Sequence, residues 1–325
     1  MFTSPQLLDL INSYLSDLKL GNHPQQLYEP VKYMLSLGGK RLRPVLAMMA
    51  YNIYKDDVER ILPCVAGIEL YHNYTLLHDD LMDDSDMRRG KETVHKVWND
   101  NTAILSGDAM LVLAYQYIVK GNFGCSSKVL DLFSRTALEI CEGQQFDMDY
   151  ENRKIVSEEE YIEMIRLKTG VLLAASLKIG GLQANVSDPD LDLLYNVGLY
   201  TGLAFQLKDD LLDVYGDPSV FGKQKGGDIL CNKKTYLLIK AFEMADKNQL
   251  ARLNYWMNDI KTFTPCEKID GVIEIYDELK IRELCEEKMD VYFQKALIYL
   301  EQISVGESKT YMLKKLIETL MTREV

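Results

Sequence analysis

At 325 residues the chain exceeds the usual domain length, yet one large domain remains compatible with that size, and 47% hydrophobic residues suffice for a substantial core. A net charge of −12 and a pI near 4.9 exclude an extended nucleic-acid surface, which needs Lys and Arg clustered on one face. An acidic balance does not exclude small anionic substrates, because a bound divalent cation reverses the local field.

Strand signals are scarce, with no sustained alternation and no Asn-Gly or Asp-Gly between β-branched runs, so the chain reads as all-α. In chain order, Ser4-Pro5 predicts a hydroxyl-capped helix whose apolar positions run from Leu7 to Leu18. Gly21 and Pro24 bracket a turn, and an apolar segment from Leu27 to Leu37 stops at Gly38-Gly39-Lys40-Arg41-Leu42-Arg43-Pro44, where Pro44 opens a helix through Ala50. A helix is expected from Glu59 to Asp83, a loop through Lys91, and helices over 101–120 and 126–150. Ser157 and Glu160 form a capping box for a helix into Lys168-Thr169-Gly170. Asp188-Pro189 starts a long helix in which Gly198 and Gly202 allow close packing. Glycines from Gly216 to Gly227 predict a flexible loop able to close over a bound molecule. The chain from Thr235 onward predicts amphipathic helices without a site signal, and no linker or repeat divides the 1–325 span, so a single domain is expected.

Cys64, Cys125, Cys141, Cys231, Cys266 and Cys285 show no CxxC and no short paired spacing, which favours free thiols in a reducing compartment. The N-terminus lacks signal-peptide character, and no uncharged apolar run reaches roughly 18 residues. A cytoplasmic protein without a transmembrane segment is the expectation.

The strongest chemical signal is Asp79-Asp80-x-x-Asp83, which recurs as Asp209-Asp210-x-x-Asp213 at the end of another apolar run. Positions i and i+4 share a helix face, so the outer acids of each motif point together. Such carboxylates need a counter-charge, and Mg²⁺ suits them because it takes oxygen ligands while sharing positions with water and phosphate. One DDxxD alone is also an ordinary solvated helix end. Two copies with basic motifs around them predict a diphosphate site in which metal holds one anion and Arg and Lys grip another. Lys40, Arg41, Arg43, Arg88 and Arg89 are the candidate cations, with Gly38-Gly39 letting backbone N–H groups approach an anion.

On these residues the chain resembles the trans-isoprenyl diphosphate synthases, or polyprenyl synthetases, over most of residues 35–240. Gly38 to Pro44 resembles the family's GGKRLRP element, and Asp79 to Gly90 its first Asp-rich region with an RRG tail. Lys168-Thr169, Phe205-Gln206, Asp209 to Asp213, Gly222-Lys223 and Lys233-Lys234-Thr235 resemble later elements. The resemblance implies an isoprenoid synthase fold, an all-helical bundle around a deep central cavity, usually as a homodimer. It implies that Lys40, Arg41 or Arg43, His72 and Arg89 hold isopentenyl diphosphate, and that Arg88, Lys168, Gln206, Lys223 and Lys233 surround the allylic diphosphate. It further implies that Asp79, Asp80, Asp83, Asp209, Asp210 and Asp213 carry about three Mg²⁺ ions. Thr169, Gln206 and the Lys168 carbonyl resemble the polar groups beside the allylic cation.

Product length follows from the same resemblance. Bulky residues four and five positions before the first Asp commonly floor the tail pocket, and here these are Thr75 and Tyr74. One aromatic there resembles enzymes making geranylgeranyl (C20) diphosphate, with farnesyl (C15) close behind.

Three rivals are weaker. Glu69-x-x-His72 and Glu92-x-x-His95 echo a di-iron bundle, but the second falls in or near a loop and two further Glu would be needed. Asn258-Asp259-x-x-Thr262 begins a terpene-cyclase motif whose Glu position holds Cys266. A non-catalytic subunit of a heteromeric prenyltransferase would have lost acids or anchors, and none is visibly missing.

Overall fold

The structure is a computed structural model that describes residues 1–121, 126–216, 225–257 and 263–322. The chain divides into two compact units, one of Met1–Arg135, Leu173–Tyr195 and Leu300–Leu316, the other of Thr136–Leu172, Asn196–Tyr299 and Ile317–Val325.

In the first unit, α1 (Ser4–Ser16) buries Leu7, Ile11 and Leu15, as its periodicity predicts. Its cap is Thr3 rather than Ser4, closed by a reciprocal box with Gln6. Helices α2 (Gln25–Ser36) and α3 (Leu42–Asn52) flank the glycine turn, and a 3-10 turn (Val58–Ile61) leads into α4 (Leu62–Met82). The helix expected from Glu59 therefore starts three residues later, at Leu62, and Asp83 is its C-cap.

After α4 the expected loop contains a short hairpin, β1 (Met87–Arg88) paired antiparallel with β2 (Lys91–Glu92). Its two central residues, Arg89 and Gly90, both have positive φ (53° and 74°), as a type I′ turn requires. Helix α5 (Val94–Val97) follows, and α6 (Asp100–Lys120), capped by the Asn99 side chain, packs lengthwise on α4.

Helices α7 (Ser126–Glu151), α9 (Val171–Gln183) and α10 (Asp188–Tyr215) contribute residues to both units. In the second unit α8 (Glu158–Ile165) has the predicted Ser157–Glu160 capping box. It then passes into a π-helical turn, Arg166–Gly170, which the sequence did not signal. A β-carbon on Gly202 would meet the Gly170 α-carbon at 2.7 Å, so these two glycines permit α10 to press against the turn. Helices α11 (Gly227–Leu230), α12 (Tyr236–Met244), α13 (Lys247–Trp256), α14 (Pro265–Glu278), α15 (Ile281–Glu301) and α16 (Glu307–Thr322) complete the chain. The predicted loop residues Phe221, Gly222 and Lys223, and the partial motif at Asn258, Asp259 and Thr262, lie outside the described residues.

Candidate active site

The first unit gathers the glycine turn, the middle of α4 and the hairpin. Gly38 and Gly39 have φ of 75° and 129°, and a side chain at Gly39 would strike the Arg89 guanidinium. Arg89 donates to the Gly38 carbonyl, which ties the hairpin tip to the turn. Lys40 is exposed, whereas Arg41, itself at φ 45°, turns inward and is 5% exposed. Arg41 donates to Glu69 Oε1 and the Leu35 carbonyl, each at 2.7 Å, and Glu69 also accepts from Asn73 at 3.0 Å. Of the three predicted cations in this turn, Arg41 therefore serves as a structural brace between the turn and α4. Removing one partner of such a buried pair costs about 3–5 kcal/mol.

Arg43 Nη1 lies 3.0 Å from His72 Nε2. Burial, and then the charges of Arg43, Arg89, Arg88 and Arg41, push the His72 imidazole well below its ordinary range, so it is neutral and accepts from Arg43. The second expected ExxH unit differs: His95 is buried in α5, 3.6 Å from Asp84.

Adjacent arginines of the hairpin diverge, because Arg88 ends β1 while Arg89 sits in the turn at positive φ. Arg88 grips Asp80, its Nε 2.8 and 2.7 Å from the two carboxylate oxygens and its Nη2 2.7 Å from Oδ1. Asp80 is 3% exposed, while Asp79 is half-buried 3.9 Å from Arg88 and Asp83 is exposed at the helix end. Burial raises the Asp80 carboxyl, with Arg88 opposing.

The second unit repeats this arrangement with different donors. Asp210 is 4% exposed and accepts from the buried Tyr161 hydroxyl and, at 3.1 Å, from Gln206 Nε2. Burial and the nearby Asp228 push it up to about 7, against the hydrogen bonds from Tyr161 and Gln206 and the Lys233 charge. Asp209 and Asp213 are half-buried, and Asp213 accepts the Asp228 backbone N–H at 3.0 Å. In both motifs, then, the middle acid is buried and held by protein donors, while the outer acids are the more accessible pair.

Lys168 and Lys233 converge on Asp147 of α7, at 2.7 and 3.6 Å. Burial raises the Asp147 carboxyl, but Lys233 and Lys168 outweigh it and hold it below the ordinary range. Asp147 and Tyr161 are site residues that sequence reasoning missed. Gly143, one helical turn earlier on the same face of α7, lies where a side chain would collide with the Lys168 backbone, so it lets that segment approach Asp147. Thr169, in the π turn, donates to Gln206 Oε1 at 2.9 Å. Lys223 lies outside the described residues.

Near the end of α4, the Tyr74 ring packs 5.5 Å from Tyr71 and 4.8 Å from His78, and Tyr71 meets Phe133 edge-on at 5.1 Å. The Thr75 hydroxyl donates to the His72 carbonyl of its own helix at 2.8 Å.

Both acid clusters offer only carboxylate oxygen, the hard-donor chemistry that Mg²⁺ takes. Among the described residues no three His, Cys, Asp or Glu side chains are gathered into a ready ligand set.

The polyprenyl synthetase family model matches residues 24–276. The chain is 44% identical over 230 residues to a short chain isoprenyl diphosphate synthase of Methanocaldococcus jannaschii, covering 70% of each chain. It is 37% identical to a geranylgeranyl diphosphate synthase of Methanosarcina mazei, covering 86% of this chain and 88% of that one. A crystal structure of geranylgeranyl pyrophosphate synthase superposes with a TM-score of 0.95 at 41% identity over the whole of both chains. The chain therefore belongs to the polyprenyl synthetase family and has its all-α isoprenoid synthase fold. It is a prenyl-transferring enzyme of isoprenoid biosynthesis.

Proposed function

We propose that the protein joins isopentenyl diphosphate to dimethylallyl, geranyl or farnesyl diphosphate and releases a short-chain all-trans prenyl diphosphate, C20 ahead of C15. The observation that carries this reading is that each unit holds both acids and cations: Asp79 lies 3.9 Å from Arg88 in one, and Lys168 and Lys233 meet at Asp147 in the unit that also carries Asp209 and Asp213. The names of the geranylgeranyl synthases to which the chain is similar support it.

Asp79, Asp83, Asp209 and Asp213 would hold Mg²⁺, which when bound offsets charge on the leaving diphosphate oxygen. Asp80 and Asp210, predicted as ligands too, are committed to protein donors and act by keeping their clusters in place. Lys40, Arg43, His72 and Arg89 bind isopentenyl diphosphate, while Lys168 and Lys233 exchange Asp147 for the allylic diphosphate. The allylic C–O bond breaks with its electron pair leaving on diphosphate. The isopentenyl double bond attacks the resulting cation, and the proton lost in forming the new double bond goes to that diphosphate.

The two units are read as parts of one prenyltransferase domain over 1–325, because the family match spans segments of both. A homodimer is proposed through α6. This helix is long and apolar enough to cross a membrane by length and composition, with Leu105, Val112 and Val119 exposed at heptad spacing. The exposed Asp108 lies within the same stripe, which disfavours lipid and suits a second copy, with the protein in the cytoplasm. Leu105→Glu with Val112→Glu should halve the mass measured by light scattering.

The test of activity is incubation with isopentenyl diphosphate, Mg²⁺ and each allylic primer separately, with products identified by mass spectrometry. Mg²⁺-dependent C15 or C20 diphosphate is expected, and failure to elongate any primer in folded protein would overturn the reading. Tyr74→Ala should lengthen the product; an unchanged distribution would move the floor of the tail pocket to another residue, with Tyr71 the next to test.

A further inference from the structure

Within the second unit four side chains form one directed chain of hydrogen bonds. Tyr161 donates to Asp210 Oδ2, Gln206 Nε2 donates to Asp210 Oδ1 at 3.1 Å, and Thr169 Oγ1 donates to Gln206 Oε1 at 2.9 Å. Its direction is set by the Gln206 amide, which turns its N–H₂ to Asp210 and so leaves its carbonyl oxygen toward Thr169. The Gln206 carbonyl oxygen then faces Thr169 and can only accept, which takes the one hydroxyl proton Thr169 has. What remains on Thr169 Oγ1 is a pair of lone pairs.

Tyr161 is fully buried and its hydroxyl touches neither the accessible acids nor the lysine pair by any hydrogen bond other than the one to Asp210. The middle acid of the first motif is held by a guanidinium, whereas this one is held by two neutral donors that also set an amide orientation. The π turn supplies the end of the chain, since Thr169 sits inside it, and π turns place backbone and side-chain groups where a regular helix would not.

We propose that Tyr161 and Asp210 are positioning residues that orient Gln206 so that Thr169 presents oxygen lone pairs, and not a hydroxyl proton, to the allylic cation. This rests on the prenyl-transfer reading above. When the allylic C–O bond breaks, the electron pair leaves with the diphosphate and positive charge appears on the allyl carbons. An oxygen already oriented with its lone pairs outward stabilises that charge without reorganising as it forms. A hydroxyl proton in the same place would oppose it. Because the interaction exists only once charge develops, it should act on turnover and leave ground-state binding alone.

The test is a double-mutant cycle in the full-length enzyme. Tyr161→Phe keeps the ring and removes the donor; kcat should fall about tenfold while KM for both diphosphates stays within about twofold. In a Thr169→Val background, where no hydroxyl can be oriented, Tyr161→Phe should cost less than about twofold, and in a Thr169→Ser background the full penalty should return. A second measurement needs no turnover: calorimetric affinity for two isosteric allylic diphosphate analogues, one with a tertiary ammonium at the cationic carbon and one neutral. Tyr161→Phe should weaken the ammonium compound about tenfold and leave the neutral one unchanged, with cooperative thermal unfolding reporting that the variant is folded. Equal weakening of both analogues, additive penalties in the cycle, or a raised KM at unchanged kcat would each overturn the proposal. Wild-type protein that makes no prenyl diphosphate would instead overturn the functional reading on which it rests.

Discussion

The two Asp-rich clusters are near copies in sequence and differ in how the protein treats their middle acid. Asp80 is clamped by the Arg88 guanidinium, whose full positive charge opposes the upward push of burial without cancelling it. Asp210 receives only the neutral Tyr161 and Gln206 donors and has Asp228 nearby, so burial pushes it up to about 7. The same motif meets a full positive charge in one unit and neutral hydrogen-bond donors in the other. The difference comes from what each unit packs against its helix: a hairpin with arginines in one, α8 and the π turn in the other.

The largest effects should come from the outer acids that the clusters share. Asp79→Asn and Asp209→Asn should each lower turnover by a factor on the order of 10² to 10³ in steady-state assays at saturating Mg²⁺. If the corresponding middle-acid changes in Asp80 and Asp210 lowered turnover more than these, the division between accessible and protein-held acids would be wrong.

Stability should separate the clusters next. Arg88→Met leaves Asp80 buried without its cation and should cost about 3 kcal/mol in denaturant unfolding. Tyr161→Phe removes one neutral donor from Asp210 and should cost about 1–2 kcal/mol. Equal costs would mean that the guanidinium does no more for Asp80 than a hydroxyl does for Asp210.

The pH dependence should have opposite sign in the two units. Asp210 has a raised folded pKa, so its contribution is full below the ordinary carboxyl range, about 4, and is lost as pH rises through about 7. His72 has a depressed folded pKa, so its contribution is full above the ordinary imidazole value, about 6.5, and is lost as pH falls. In metal-free buffer, Asp210→Asn should remove a decline in melting temperature between about pH 4 and 7, and His72→Gln should remove a rise over the acidic part of that window. Identical profiles for both variants and wild type would contradict the burial of these groups.

The smallest effect concerns Lys233, which is partly exposed and sits 3.6 Å from Asp147. Lys233→Met should change stability by less than about 1 kcal/mol, since exposed pairs contribute little, while raising KM for the allylic diphosphate. An unchanged KM would remove Lys233 from the anion site and leave Lys168 alone there.

Much of this molecule is local and therefore legible along the chain. The Ser157 cap, the apolar stripe of α1 and the glycine turn before α3 depend on contacts within a few residues, where residue type and spacing suffice. The two acid motifs and the cations around them were legible for the same reason, because i and i+4 fix a shared face whatever the rest of the chain does. Partner choice was not. Lys40, Arg41 and Arg43 are equivalent in the sequence, and only the left-handed turn at Arg41, opposite Glu69 on α4, sends that one side chain into the core. The divergence of Arg88 from Arg89 required a hairpin with no strand signal, and the π turn required Gly202 to press against Gly170. Asp147 and Tyr161 gained their roles from residues 21 and 49 positions away. The sequence by itself determined which helices form and which acids can share a face, because backbone periodicity and capping are short-range. Only the tertiary structure decided which acid in each trio is buried, and against what donor, because desolvation and hydrogen-bond pairing depend on segments far apart in the chain.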